Sequence, residues 1–293
     1  MSPYGRKNTM LFHYTTAETA FEHIVPTGQL RLGRYEAMRD PMEAKEWRFT
    51  FEFEGGGTGG PPFAAIEPGL LKALNAVRMR TRLLSMTQDA KGYRPHAEQP
   101  FGRGYARPRM WEHYGDVHRG LCLCFDRAAF VAAADEVATA VSPVRYTRGA
   151  LATSAARHVT LPDYWASVPA RLEELLARGG AGAEEIAQLT EELSDEVVEK
   201  LSQAIVEHVV NHARDLLLLK TVDWATEHEL RVLAFSTLDG DLFVDFGDSL
   251  KAVIVGDRFP EWQLPAAAVA ARSASAELLQ LTWPGGVPTP VSV

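Results

Sequence analysis

Short runs with a two-residue apolar period recur along this chain, and helical runs separate them at irregular intervals. That irregular mixture constrains the fold more than any other feature. "TMLFHYT", "GQLRLG", "RFTFEFE", "TRLLSMTQ", "GLCLCFD", "VSPVRYT", "ELRVLAFS", "LFVDFG" and "KAVIVG" read as strands, and "AETAFEHIV", "PGLLKALNAVRMR" and "RAAFVAAADEVATA" as helices. Strands spaced in this way imply an α+β fold with a mixed or mostly antiparallel sheet. From Pro162 to Lys220 the period is helical throughout, with a stripe at Leu189, Leu193, Val197, Leu201 and Ile205 that "ARGGAGAEE" interrupts. We read one domain over residues 1–293 with a helical insertion at about 162–220.

The 293 residues are 46% hydrophobic, enough for one large core carrying an insertion. The net charge of −8 and pI of about 5.6 argue against bulk attraction to nucleic acid or anionic lipid. Cys122 and Cys124 alternate on one strand and so share a face. Two thiols do not complete a zinc site, and we expect buried free thiols in a reducing cytoplasm. No apolar run approaches the length of a membrane span, and the first residues lack a signal-peptide core. The sequence therefore reads as cytoplasmic, without a membrane partner. "EGGGTGGPP" lacks the Lys-Ser/Thr ending and following helix of a phosphate-binding loop.

Four stretches are dense in chemistry. In "LFHYTT", His13 and Tyr14 point to opposite faces of a strand, so one can line a cleft while the other packs. In "MWEHYGDVHRG", Trp111 and Tyr114 read as aromatics packed on the sheet, with His113, Asp116 and His118 as the polar candidates. In "KTVDWATEHELRVLAF", Glu227 and Glu229 alternate at the start of a strand and Arg231 continues their face. Carboxylates are costly to bury there, which invites a functional reading; the alternative is a Glu229–Arg231 salt bridge on an exposed edge. If Glu229 lies in a wet cleft, its replacement by Gln should leave folding little changed. "EHVVNH" sets His208 and His212 four apart but lacks the Glu of a metalloprotease helix, so a packed pair is preferred and no metal is expected.

In order, "LFHYTT", "MRDPMEAKEW", a strand carrying Ser85, "MWEHYGDVHRGLCLCFD", "VRYT", "KTVDWATEHELRV" and "VIVG" resemble the bacterial domain-of-unknown-function 2971 family. "RDP" stands where that family has Asn-Asp-Pro, and "LLS" where it has Cys-Phe-Ser. More distantly, the first strand and the helix ending "IVPTGQLRL" resemble the start of ADP-ribosyltransferase folds. That resemblance implies a split sheet and NAD as substrate. It also implies His13 on the cofactor ribose with Tyr14 beside it, Ser85 or Tyr35 supporting the nicotinamide ribose, and Glu229 as the catalytic carboxylate with Glu227 close by. Arg31 or Arg34 suits the pyrophosphate. The expected function is an NAD-dependent ADP-ribosyltransferase, of the toxin or phage-defence kind, with the acceptor open; nucleic acid stands among the acceptors.

Two other readings compete. One is a ligand sensor or protein-interaction module, with the helical block as a homodimer surface. The other is a metal-dependent nuclease or phosphoesterase using Asp40, Glu43, His113, Asp116 and His118.

Overall fold

The computed structural model describes residues 9–38, 50–53, 75, 77–92, 101–148, 158–161, 199–200, 203–205, 207–209, 211–236 and 240–293. Asp40, Glu43, the Gly-Pro loop and most of the helical block lie outside them. The chain falls into two compact units. The first comprises 1–34, 81–146 and 222–293, and the second 35–80 and 147–221.

The strands in chain order are β1 (Met10–Thr15), β2 (Gln29–Arg34), β3 (Thr50–Phe53), β4 (Thr81–Thr87), β5 (Leu121–Asp126), β6 (Ala140–Pro143) and β7 (Arg145–Thr147). They continue with β8 (His158–Leu161), β9 (Leu219–Thr221), β10 (Glu229–Phe235), β11 (Leu242–Asp245), β12 (Leu250–Val255), β13 (Glu277–Thr282) and β14 (Thr289–Ser292).

The first unit is built on one sheet of order β11-β2-β4-β1-β5-β12-β13-β14, with β10 paired to β4 and β6 to β10. All its pairings are antiparallel except β12 with β13. The fold is α+β with a mostly antiparallel sheet, as the strand spacing implied. β5 is buried over five consecutive residues because helices cover both of its faces. On one face Leu11, Leu84, Met86, Leu123, Phe125, Leu230, Val232 and Val253 meet Phe130 and Ala134 of one helix and Ala267 and Ala271 of another. On the other face Phe12, Tyr14, Cys122, Cys124 and Ile254 meet Met110 and Trp111.

The described helices of this unit are short. The segment after β1 comprises α1 (Ala17–Thr19), capped by the Thr16 hydroxyl, a π turn (Ala20–Ile24) and α2 (Val25–Thr27). Gly28 ends it at φ 69°, a left-handed position suited to glycine. α3 spans Pro108–Tyr114, and α4 spans Arg127–Asp135 with Asp126 accepting from the Ala129 N–H as its cap.

In the second unit β3 and β8 form a parallel pair. α5 (Ala213–Leu217) stops before β9, so the helical reading does not extend to Lys220. Ile205, on the predicted stripe, is buried, and so is Val209.

Other expectations are corrected locally. "VSPVRYT" is two strands with a break at Val144; the first pairs with β10, and the Val144 N–H still donates to the Glu229 carbonyl (2.9 Å). β8 was not anticipated. After β12 the chain adds α6 (Leu264–Ser273), β13 and β14; α6 carries β12 into its parallel partner β13.

Candidate functional site

β4 pairs with β10 along its whole length. On its other side it meets β2 at Arg82 and Leu83, and β1 at Thr87. Residues 84–86 therefore lie where β1 and β2 part, and the sheet is split at Ser85. The His13 ring lies at this gap, its Nδ1 3.2 Å from the Ser85 carbonyl. A carbonyl only accepts, so Nδ1 carries the proton. Burial lowers the His13 pKa below its usual value, which keeps the ring neutral and leaves Nε2 as an acceptor.

From the same residue, the Ser85 hydroxyl donates to Glu229 Oε1 at 2.5 Å. Arg231, opposite Ser85 in register, donates Nε to Oε1 at 2.7 Å and Nη2 to Oε2 at 3.2 Å. Glu229 is 3% exposed and Arg231 0%. The anticipated salt bridge exists, but in the interior and on a strand paired on both sides. Register puts Phe12, Thr87 and Glu229 on one face and His13 on the other. His13 and Glu229 are thus joined through Ser85, one at its backbone and one at its hydroxyl, and do not face each other directly.

Glu227 differs from its sequence reading. Residues Val222–Glu227 form a 3₁₀ helix, and His228 follows at φ 45°. The left-handed residue breaks the alternation, so Glu227 does not share a strand face with Glu229. Its Oε1 accepts from the Tyr114 hydroxyl at 2.8 Å, tying α3 to the start of β10. Arg107, just before α3, donates Nη1 to the Glu227 carbonyl (3.0 Å) and Nη2 to the Gln88 carbonyl (2.6 Å). Gln88 is a hub. Its N–H donates to the His228 carbonyl at 3.0 Å, and its Oε1 accepts from Arg127 Nη1 at 2.7 Å. Burial, and then the Arg107 charge, lower the His228 pKa to about 4. Burial brings the Arg107 guanidinium down to about 10.

Arg107, Gln88, Arg127 and His228 escaped sequence reasoning. The one signal was His228 itself, since His is among the residues that accept a left-handed backbone and it interrupts a strand-like run.

The remaining candidates are dispersed. Tyr14 is buried on the Trp111 face, its hydroxyl donating to the Gly104 carbonyl at 2.7 Å and its ring edge-on to Trp111 at 5.1 Å. Arg31 lies on β2 with its side chain 64% exposed, 3.5 Å from Asp241. Tyr35 is buried in the second unit at the start of a 3₁₀ turn. In the "MWEHYGDVHRG" segment, Trp111 is buried with Nε1 donating to the Tyr105 carbonyl. His118 Nδ1 lies 2.8 Å from Asp257, and Asp116 pairs with Arg119. His208 and His212 stack at 4.1 Å in the second unit. Among the described residues no group of three or more His, Cys, Asp or Glu is placed to hold a metal ion. Nor is any described helix long and apolar enough to cross a membrane.

The Tyr114–Glu227 bond links the two stretches most dense in polar side chains, and both of these residues fall within one matched segment. Residues 110–232 match the model of a protein family of unknown function, DUF2971. The match runs from α3 into β10 and takes in Trp111, Tyr114, Glu227, Glu229 and Arg231, while His13 and Ser85 lie before it. No curated protein and no solved structure gives a match.

Proposed function

We propose that the first unit binds a dinucleotide of the NAD type at the gap in its sheet, cleaves the nicotinamide–ribose bond and passes ADP-ribose to an acceptor. The observation that supports this reading is the convergence on Ser85. A histidine from the first strand and a glutamate from a late strand, 216 residues apart in the chain by their numbers 13 and 229, bond to one residue where the sheet splits.

In the proposed step the bond from C1′ to the nicotinamide nitrogen breaks. Its electron pair neutralises the pyridinium, and positive charge develops on the ribose. The acceptor's lone pair then forms the new bond at C1′, and the acceptor's proton passes to a carboxylate or to water. His13 Nε2 accepts from a ribose hydroxyl, the reverse of a donating role, because Nδ1–H is held by Ser85. We assign the carboxylate that opposes the ribosyl charge to Glu227. The charge of Glu229 is already countered by Arg231, and its role is to hold Ser85.

The test is nicotinamide release from NAD by wild type and Glu227→Gln, with protein and nucleic-acid acceptors. Glu227→Gln should lower turnover by roughly 10²–10³ with little change in NAD affinity, since the opposing charge exists only in the transition state. The neutralised Glu229–Arg231 pair favours a second reading, a non-catalytic sensor. NAD binding without release under any condition would select it, and chelator-sensitive phosphoester cleavage in place of nicotinamide release would select metal-dependent hydrolysis.

A further inference from the structure

We propose that Arg107, Arg127 and His228, gathered round Gln88, form an oxyanion site that receives a phosphate group of a nucleotide. Only the identity of that nucleotide as a dinucleotide rests on the function proposed above.

Arg107 is the decisive residue. It is 6% exposed, and among the described residues its side chain bonds two backbone carbonyls and no carboxylate. A guanidinium has five N–H donors, so three find no acceptor among the described residues. A buried cation without a counter-ion costs several kcal/mol, and proteins retain one where a ligand completes it. Asp89 acts on Arg107 electrostatically, yet its oxygens are held by Arg103 (2.7 Å) and the Gly104 N–H (2.9 Å).

Two further residues touch Gln88, Arg127 at its Oε1 and His228 at its N–H, each with donor capacity left among the described residues. Half-buried Arg127 makes one side-chain bond, to Gln88 Oε1. The half-buried His228 ring makes no hydrogen bond among the described residues, on a backbone held at φ 45°. Left-handed backbone at a non-glycine residue is retained at functional sites when the surroundings enforce it. Here the Gln88 N–H and the Arg107 clamp enforce it. Gln88 has its carbonyl, amide N–H and side-chain oxygen committed, so it serves as the post that spaces the three. Donors from three side chains suit a phosphate, which offers oxygens in several directions.

The probe is inorganic pyrophosphate, titrated calorimetrically into the full chain, with ADP-ribose and sulfate as further arms. Wild type should bind pyrophosphate and ADP-ribose. Arg127→Gln should weaken both roughly 10–100-fold, the worth of a charge-assisted hydrogen bond. His228→Asn, which tolerates the same backbone, should also weaken them. Arg107→Gln removes a backbone clamp as well as a charge, so the decision rests on the other two variants, with circular dichroism as the check on folding. The site is overturned if wild type binds no pyrophosphate at millimolar concentration, or if neither Arg127→Gln nor His228→Asn weakens it. It is also overturned if sulfate binds as well as pyrophosphate, or if the loss appears in Arg31→Gln and not in Arg127→Gln. Nicotinamide release is scored separately. Anion binding without release keeps this site and removes the NAD-cleaving reading; release with variant-insensitive anion binding removes only the site.

Discussion

Glu229 and Arg231 each make the other's burial tolerable. Arg231 is fully enclosed, and the Glu229 carboxylate receives two of its N–H groups together with the Ser85 hydroxyl. Glu229→Gln keeps the shape but removes the carboxylate charge that meets two N–H groups of the buried Arg231 guanidinium. It should therefore cost about 3–5 kcal/mol in urea unfolding, where a wet cleft would have left folding little changed. Replacing both partners, Glu229→Gln with Arg231→Met, should recover part of that loss, because both charges of the pair are then removed together. If the single variant unfolds like wild type, the pair is solvated and Glu229 regains its place as the reacting carboxylate. Glu227 accepts from the Tyr114 phenol at its Oε1. Glu227→Gln should be the milder change in stability and the more severe one in turnover.

At the scale of elements, α3 and the turn that follows it form a brace for β10. Trp111 fills the sheet face behind Tyr14, and Trp111→Ala should cost about 3–5 kcal/mol of stability. After Gly115, Asp116, Val117 and His118 lie in succession at φ 48°, 53° and 68°. Asp and His accept that backbone readily and a β-branched residue does not. The turn is pinned from outside: the Gly120 N–H donates to the Gly115 carbonyl (2.8 Å) and the Arg258 N–H to the His118 carbonyl (3.1 Å). A Cβ on Gly256 would stand 2.0 Å from the His118 carbonyl oxygen. Val117 is 39% exposed, so Val117→Gly removes little packing and should raise stability by about 1 kcal/mol. Gly256→Ala forces the turn to move and should cost about 1–3 kcal/mol. Thermal unfolding of the two variants reads both; a Gly256→Ala protein as stable as wild type would show that the turn is not clamped.

Across the whole molecule, what the sequence made legible was local periodicity. β1, β4, β5 and β10 announce themselves by alternating or continuous apolar runs, and the α+β class follows from their spacing. What stayed hidden depends on residues distant in the chain. Nothing local says that Arg107 reaches the carbonyls of Gln88 and Glu227, or that His228 turns left-handed and separates two glutamates that read as neighbours on one face. The same residue gives the molecule a measurable acid sensitivity. His228 titrates near 4 in the fold and near 6.5 in an unfolded chain. As pH falls, the unfolded state takes up the proton first. The stability associated with a neutral His228 is complete above about 6.5 and is lost as pH falls towards 4. His13, also held neutral by burial, acts in the same direction. The ring of His228 is half-exposed, so solvent screening reduces its share to about 1–2 kcal/mol. Carboxylates titrate in the same range, and the informative quantity is therefore the difference between wild type and His228→Asn in urea unfolding at pH 7.5 and pH 4.5. His228→Asn should lose less stability on acidification, by that margin. An equal loss in both proteins would mean that the His228 ring is not held near Arg107, and the donor cluster round Gln88 would lose one of its three members.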